Sequence, residues 1–192
     1  MISLRERKKI KTRVSIQKYA MRLFLKHGYV ETTIEQIAEA AEVSPRTFFR
    51  YFPTKEDLVL YDPLDPLIIE SFKSQPADLG PIPALRATMR SVFDKLPADE
   101  LEEFQEKAKL MSTVPELRSR ALDELLRSFE MFTQLLAERL GCSPEDLAVR
   151  TLTGAIMGVL MSVLFASPQT EPKNLFTSLD VALGQMEKLL TL

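Results

Sequence analysis

The fold is decided by residues 33–58, which read TIEQIAEAAEVSPRTFFRYFPTKEDL. Thr33, followed three residues later by Gln36, has the spacing of a capping box and predicts that a helix begins there. Ser44 with Pro45 directly after it predicts a second helix, because proline at the first helical position sacrifices no hydrogen bond. Two short helices joined by a turn of about three residues form a helix-turn-helix arrangement.

The rest of the chain continues the helical pattern. Among 192 residues there are 6 glycines, and apolar side chains recur at spacings of three and four, which is typical of helices. Thr113 with Glu116 repeats the capping-box spacing, and Pro63 and Pro66 are expected to interrupt a connecting helix. We therefore predict an all-α protein of about nine helices, over residues 5–27, 33–41, 44–52, 54 onward, 82–96, 98–111, 113–140, 143–166 and 172–190.

Charge divides the chain into two parts, although the whole carries a net charge of only −2. Residues 1–55 hold twelve basic and five acidic side chains, a net charge of +7. Residues 56–192 hold thirteen basic and 22 acidic side chains, a net charge of −9. The basic part predicts an anionic partner, and nucleic acid is the first candidate, although a basic N-terminal segment is also typical of a solvated helix face.

Several classes of protein are excluded or disfavoured by composition. One His and one Cys exclude a zinc site built from several such ligands, and we expect no cofactor and no metal. A Ser-His-Asp or Cys-His enzyme would need His27, which has no supporting motif, so we expect no enzyme. The single Cys142 cannot form an intrachain disulfide, which fits a reducing cytoplasm. The apolar stretch 152–166 would span about 22 Å as a helix against a bilayer core of about 30 Å, so we expect a buried helix and no membrane partner.

The helix-turn-helix predicts how each side chain would meet double-stranded DNA. The second helix of such a unit enters the major groove, and its neighbours hold the phosphates. Arg46, Thr47 and Arg50 are predicted to face outward, because Phe48 and Phe52 lie four residues apart and take the packed side. The helix starts are placed to meet phosphates. The predicted DNA-binding residues are Thr33, Ser44, Pro45, Arg46, Thr47, Phe49, Arg50, Tyr51 and Lys55.

Residues 33–44 and 48–58 resemble the DNA-binding domain of the TetR family of transcriptional regulators, and the resemblance covers about residues 8–60. It implies a homodimer that binds a palindromic operator, usually as a repressor, and leaves it when a small molecule binds the C-terminal domain. It assigns phosphate contacts to Thr33 and Lys55, and it places in the recognition helix Arg46, Thr47, Arg50 and Tyr51. The implied domains are a DNA-binding domain at 1–55, with the connecting helix from 54, and a ligand-binding and dimerisation domain at 56–192.

Two positions depart from the family pattern. Glu42 stands in the turn where the family commonly has glycine, which costs on the order of 1 kcal/mol if that residue is left-handed. Phe49 replaces a tyrosine that commonly contacts a phosphate, and Tyr51 either replaces this contact or packs against the first helix. The alternative function is therefore a helical ligand- or partner-binding protein that no longer reads specific DNA.

The C-terminal part carries no diagnostic motif, so its sites are predicted from apolar residues. The candidates for an unidentified, largely hydrophobic ligand are Phe93, Phe104, Met111, Phe129, Phe132, Met157 and Met161, with ordinary core packing as the alternative for each. Gly154 and Gly158 would let another helix approach closely, from the same subunit or from a partner. The resemblance implies a dimer interface on the last two long helices, with Leu152, Ile156, Val159, Val163, Leu179, Leu183, Met186 and Leu190 as candidates.

Overall fold

The computed structural model describes residues 3–164 and 175–190, and every regular element in them is an α-helix. These elements are α1 Leu4–His27, α2 Ile34–Ala40, α3 Pro45–Tyr51, α4 Lys55–Leu60, α5 Asp65–Ser74, α6 Pro81–Phe93, α7 Ala98–Thr113, α8 Pro115–Leu140, α9 Leu147–Leu164 and α10 Leu175–Leu190. The predicted all-α class is confirmed. The helix without a counterpart among the predicted segments is α5, which begins after the break that Pro63 makes.

The chain divides into two compact units. The first comprises residues 1–63 and 106–121, and the second comprises residues 64–105 and 122–192. The end of α7 and the beginning of α8 thus pack with the N-terminal helices, although the sequence placed them in the C-terminal domain. The functional boundary at 55/56 stays a prediction.

The helix starts of the first unit follow the predicted caps. The Gln36 N–H donates to Thr33 Oγ1 (3.2 Å), and the Thr33 N–H donates to Gln36 Oε1 (2.9 Å), so the capping box is confirmed. Ser44 Oγ accepts from the Thr47 N–H (3.1 Å), and Pro45 occupies the first helical position as predicted. Satisfied N–H groups at both helix starts hold the helix-turn-helix in a defined geometry.

The core of the first unit joins all of its helices. Its fully buried members include Ile16 of α1, Ile37 of α2, Phe48 of α3 and Leu58 of α4. Leu117 of α8 is also fully buried in this cluster. A side chain from α8 therefore stabilises the same core that positions α3, which sequence periodicity gave no reason to expect.

Two predicted helix starts are wrong. Thr113 ends α7 instead of capping α8, because its hydroxyl donates to the Lys109 carbonyl (2.8 Å) one turn earlier. Ser143 begins a separate turn, closed by the Asp146 N–H donating to its carbonyl (3.0 Å), and α9 starts only at Leu147. The predicted end at 166 and the predicted start at 172 lie outside the described residues.

The second unit is held by arginines as well as by an apolar core. Arg139 of α8 donates to the carbonyls of Phe72 (3.4 Å), Pro76 and Leu79 (2.9 Å from Nη2), which fixes the end of α5 and the loop between α5 and α6. On the other side of α6, Arg86 pairs with Asp180 and Glu187 of α10. Each guanidinium ties a loop or helix to the core through several hydrogen bonds.

The apolar helix α9 is not the buried helix that its composition predicted. It has a mean hydropathy of 1.8, yet only 22% of it is buried. By length and composition it is the one helix within residues 3–164 and 175–190 that could cross a membrane, a test that core helices of soluble proteins also pass. Its solvent-facing side carries Leu147, Gly154, Gly158 and Met161.

The predicted dimer residues need correction at three positions. Ile156, Leu179 and Leu183 are at most 5% exposed, because α9 and α10 turn them into the core of their own chain. Their exposed apolar neighbours include Val181 and Leu189 of α10. Leu152, Val159, Val163 and Met186 are half-buried, and the Leu190 side chain lies outside the described part.

Candidate nucleic-acid interface and ligand region

The turn between α2 and α3 keeps its geometry without glycine. Glu42 has a φ of 54°, in the left-handed region that favours glycine. Its N–H donates to the Glu39 carbonyl (3.0 Å), and the Val43 N–H donates to the Ala38 carbonyl (2.9 Å), a pattern that closes a helix C-terminus. Glu42 is therefore left-handed, the condition under which the sequence assigned it a strain cost relative to glycine.

Helix α3 presents a polar side to solvent. Arg46 and Arg50 are exposed and Thr47 is half-buried, whereas Phe48 and Phe52 are fully buried. The predicted orientation of this helix is confirmed. Two exposed cations beside a hydroxyl can donate hydrogen bonds to base edges and phosphates.

The two aromatic candidates on α3 differ in exposure. Phe49 is 49% exposed, and its ring meets the Phe48 ring edge-on with centroids 5.6 Å apart. Tyr51 is half-buried against the first core, under the Arg50 guanidinium (5.2 Å from the ring centroid). The packed alternative for Tyr51 thus describes its ring, while Phe49 offers DNA an apolar surface.

Lys55 has a structural role that the sequence did not indicate. Its Nζ donates to the carbonyls of Tyr29 (2.8 Å) and Thr32 (3.1 Å), which joins the start of α4 to the segment before α2. Two of the three ammonium N–H groups are used in this way, and Nζ also lies 4.2 Å from the centroid of the Tyr29 ring. Lys55 therefore fixes the junction between α4 and the segment before α2 in addition to carrying its charge.

Tyr29 and Glu56 complete this junction. The Tyr29 hydroxyl donates to Glu56 Oε1 (3.1 Å). Burial of the ring and the charge of Glu56 raise the pKa of Tyr29, so the hydroxyl keeps its proton. Burial alone would raise the pKa of Glu56, but hydrogen bonds from its backbone, Thr54 and Tyr29, with the nearby charge of Lys55, lower it.

Sequence reasoning also missed Gln17. This α1 side chain is 6% exposed, and its Nε2 donates to the carbonyls of Leu58 (2.8 Å) and Tyr61 (2.7 Å). It satisfies the last turn of α4. A glutamine among the apolar positions of α1 was the available signal.

The segment 106–121 contacts the start and the end of α4 through charged groups. Arg120 donates to Asp57 Oδ1 (3.0 Å), while Asp57 Oδ2 accepts the Thr54 N–H (3.1 Å) that caps α4. Lys107 donates to the Tyr61 carbonyl (2.6 Å) at the other end. Both ends of α4 are therefore held by residues that follow it in the chain by more than 40 positions.

The predicted ligand residues do not surround one cavity. Phe93 and Phe104 lie together, with ring centroids 5.8 Å apart, and Phe176 stacks on Phe93. Met111 must be corrected, because it packs on the core of the first unit. The other four lie elsewhere in the second unit: Phe129 near Arg150, Phe132 in the core, Met157 buried and Met161 exposed.

Two cavities in the second unit border these residues. One is an open cleft of about 520 Å³ between α6, the start of α7 and α10, lined by Phe93, Phe176, Arg90 and Asp180 among others. The other is a small, partly open apolar space of about 10 Å³, lined by Phe132, Ile156 and six further apolar residues.

The geometry of the first unit defines a class of protein: a helix-turn-helix protein whose second helix exposes arginines to DNA. A family model described as "Bacterial regulatory proteins, tetR family" matches residues 16–61, and one described as "MftR C-terminal domain" matches residues 79–191. The chain belongs to the TetR family of transcriptional regulators, which are DNA-binding proteins and not enzymes.

Individual relatives agree with this family. The HTH-type transcriptional regulator TcmR of Streptomyces glaucescens is 35% identical over 150 residues, 74% of this chain and 66% of TcmR, so the match spans just under two thirds of that relative. MftR of Mycobacterium tuberculosis is 24% identical over 77% of this chain and 75% of MftR. The crystal structure of Thermus thermophilus FadR in complex with lauroyl-CoA has a TM-score of 0.58 at 26% identity, covering 91% and 93% of the two chains.

Proposed function

We propose that this regulator is a repressor that binds a palindromic operator as a homodimer and leaves it when a small molecule binds the C-terminal part. The observation that carries the proposal is the capped helix-turn-helix with Arg46 and Arg50 exposed on α3. The acidic residues 56–192 would be repelled from phosphates, which leaves them to dimerise and to sense the ligand. The protein would act in the cytoplasm.

The proposed roles of the interface residues follow their positions. Arg46, Thr47 and Arg50 would contact base edges, with Phe49 against a thymine methyl group or a sugar. Thr33, Ser44, Pro45 and Lys55 would form the phosphate-binding edge, and Tyr51 would support the DNA-reading helix from its packed side. The division of labour follows the predicted domains 1–55 and 56–192.

The homodimer is supported by the unburied apolar side of α9 and α10. Leu147 is 78% exposed, Val181 is 56% exposed and Leu189 is 70% exposed. Exposed apolar side chains at this density on two helices are typical of a protein-protein interface. A C2 dimer built on them would offer two copies of α3 to two half-sites about 34–36 Å apart.

The small-molecule ligand is proposed from the family and from the FadR complex with lauroyl-CoA. The apolar side chains of the second unit suit a largely hydrophobic molecule. Its binding would lower DNA affinity by preferring a chain conformation that the operator does not accept.

The proposal is tested by selecting bound sequences from a random DNA library, together with fragments from upstream of the protein's own gene. We expect enrichment of a palindrome with half-sites one helical turn apart. Arg46→Ala should relax the enriched sequence at one position in each half-site. Lys109→Ala removes the same charge from an exposed site on α7 and serves as the matched control. If no sequence is enriched by the unaltered protein, the alternative of a helical ligand- or partner-binding protein replaces this proposal.

A further inference from the structure

Thr88 is a polar residue buried without a hydrogen bond. It lies in the middle of α6 and is 0% exposed. Among the described residues, its Oγ1 has no hydrogen-bond partner. A buried hydroxyl that lost its water without gaining a partner destabilises the folded state, so each such group calls for an explanation.

Two other buried threonines of the same unit provide a comparison. The Thr133 hydroxyl donates to the Phe129 carbonyl (2.8 Å), and the Thr153 hydroxyl donates to the Val149 carbonyl (2.9 Å). Each uses the carbonyl four residues earlier, as helical threonines usually do. Thr88 has the same option at the Ala84 carbonyl and does not use it, so its hydroxyl is left to bond something else.

The place of Thr88 indicates what that partner would touch. Leu85 precedes it by three residues and so lies on the same side of α6. Leu85 lines the small apolar cavity of about 10 Å³, together with Phe72, Phe132 and Ile156. All eight side chains around this cavity are apolar. Thr88 therefore stands one helical turn along from an apolar space that has almost no free volume.

We propose that Thr88 is the polar anchor of the ligand site, and that the occupant is a neutral, largely apolar molecule with one hydrogen-bond acceptor, such as a ketone or ester carbonyl. This inference rests on the proposed function, in which the second unit binds a small molecule. The ligand would enlarge the cavity between α5, α6, α8 and α9. Its carbonyl oxygen would accept a hydrogen bond from the Thr88 hydroxyl, which has no acceptor among the described residues.

The chemistry of the cavity excludes a charged head group at this depth. Its lining offers no cation or anion to pair with one, and burying an unpaired charge is strongly unfavourable. The open cleft beside Phe93 is a different place. Its polar groups Arg90 and Asp180 already bond each other (2.8 Å), whereas Thr88 lacks such a partner.

The test uses pairs of probes that differ in one group: alkyl phenyl ketones from propiophenone to octanophenone, and alkylbenzenes of the same length. Binding to the full chain without DNA is measured by ligand-detected NMR and by the shift in Tm. We expect at least one ketone to bind about tenfold more tightly than its hydrocarbon. The preference should fall to about one in Thr88→Val, which keeps the shape but not the hydroxyl, and should survive in Thr88→Ser.

Thr133→Val is the matched control, because it removes a buried hydroxyl that is already bonded. It should leave the ketone preference intact and lower Tm, whereas Thr88→Val should raise Tm without ligand. The inference is overturned if ketones and hydrocarbons bind alike, if neither series binds, or if the preference persists in Thr88→Val. It is also overturned if Thr88→Val lowers Tm, since a bound water would then satisfy the hydroxyl.

The outcomes separate this inference from the proposed function. If a ketone binds through Thr88 but the DNA complex stays intact, the role of Thr88 as the polar anchor stands and the proposal of ligand-controlled release fails. If a molecule releases DNA equally well from Thr88→Val and from the unaltered protein, ligand-controlled release stands and the role of Thr88 as the polar anchor fails.

Discussion

At the scale of single residues, two positions lower the stability of the folded protein. Glu42 closes α2 in a left-handed conformation, and Thr88 buries an unpaired hydroxyl. Lys55 joins α4 to the segment before α2 with two hydrogen bonds to backbone carbonyls. Such local costs are tolerated when the surrounding packing holds the conformation in place.

The strain at Glu42 is measurable. Replacing Glu42 by glycine should raise the free energy of unfolding by about 1 kcal/mol, because glycine adopts the left-handed region without a steric penalty. The control is Glu39→Gly, an exposed glutamate three residues earlier inside α2. It should lower the free energy of unfolding by about 1 kcal/mol. Urea denaturation of both variants checks this, and equal destabilisation by the two changes would contradict it.

At the scale of elements, the Arg86 guanidinium joins α6 to α10 and lies against Gly184. An alanine Cβ at Gly184 would stand 3.0 Å from the Arg86 guanidinium carbon. Arg86 hydrogen bonds lower the pKa of Asp180, and burial opposes them only in part. Because the folded-state pKa is depressed, this pair stabilises the protein at neutral pH, and the contribution is lost as pH falls through the folded pKa.

Gly184→Ala should displace Arg86 and let the pKa of Asp180 return toward its ordinary value. The gain of about 1 kcal/mol that alanine normally brings to a helix should then be absent. Asp180→Asn, which destabilises the unaltered protein, should have a smaller effect in the Gly184→Ala background, where Asp180 keeps its bond to Arg90 (2.8 Å) but not its bonds to Arg86. The free energy of unfolding of both single variants and the double variant, followed from neutral to acidic pH, completes the cycle. Additive effects would contradict the coupling.

The exposed side of α9 makes a prediction about the dimer. Apart from its chain neighbours and its own helix backbone, no described atom lies within 4 Å of a Cβ built on Gly158, and the residue is exposed, so its own chain leaves space at this position. Gly158→Leu should nevertheless raise the dimer dissociation constant at least about tenfold, because the partner helix must move away. Gln134→Leu places the same side chain at an exposed position of α8 and should have no effect. Sedimentation velocity measures the dimer dissociation constant of each protein. If the unaltered protein is a monomer, the proposed dimer interface on α9 and α10 is wrong.

The elements also show what sequence could predict. The caps at Thr33, Ser44 and Thr54 were predictable because each depends on residues three positions apart. The side of α9 that faces the core was not predictable from sequence, because α9 carries apolar and small residues on all of its sides. Only packing against the other helices selects Ile156 for the core. Thr113 is not a cap because its hydroxyl can either accept from an N–H three residues later or donate to the carbonyl four residues earlier, and it does the second. The sequence does not decide between these two hydrogen bonds.

At the scale of the whole molecule, the net charge of −2 conceals a basic part of +7 and an acidic part of −9. The first is the part that the family uses to bind DNA. The outward side of α3 was predictable because the helix-turn-helix is a local motif. The ligand candidates could not be grouped from sequence, because a cavity is formed by side chains from distant segments, as the position of Met111 on the core of the first unit shows.

The most direct measurement is the ratio of affinities for a selected operator and for a scrambled duplex of equal length, at physiological salt. The account predicts a ratio of at least about 10³ for the unaltered protein. In Arg46→Ala it predicts a loss of about 1–3 kcal/mol on the operator, with a much smaller loss on the scrambled duplex. Equal affinity of the unaltered protein for the two duplexes would contradict the claim that α3 reads DNA sequence.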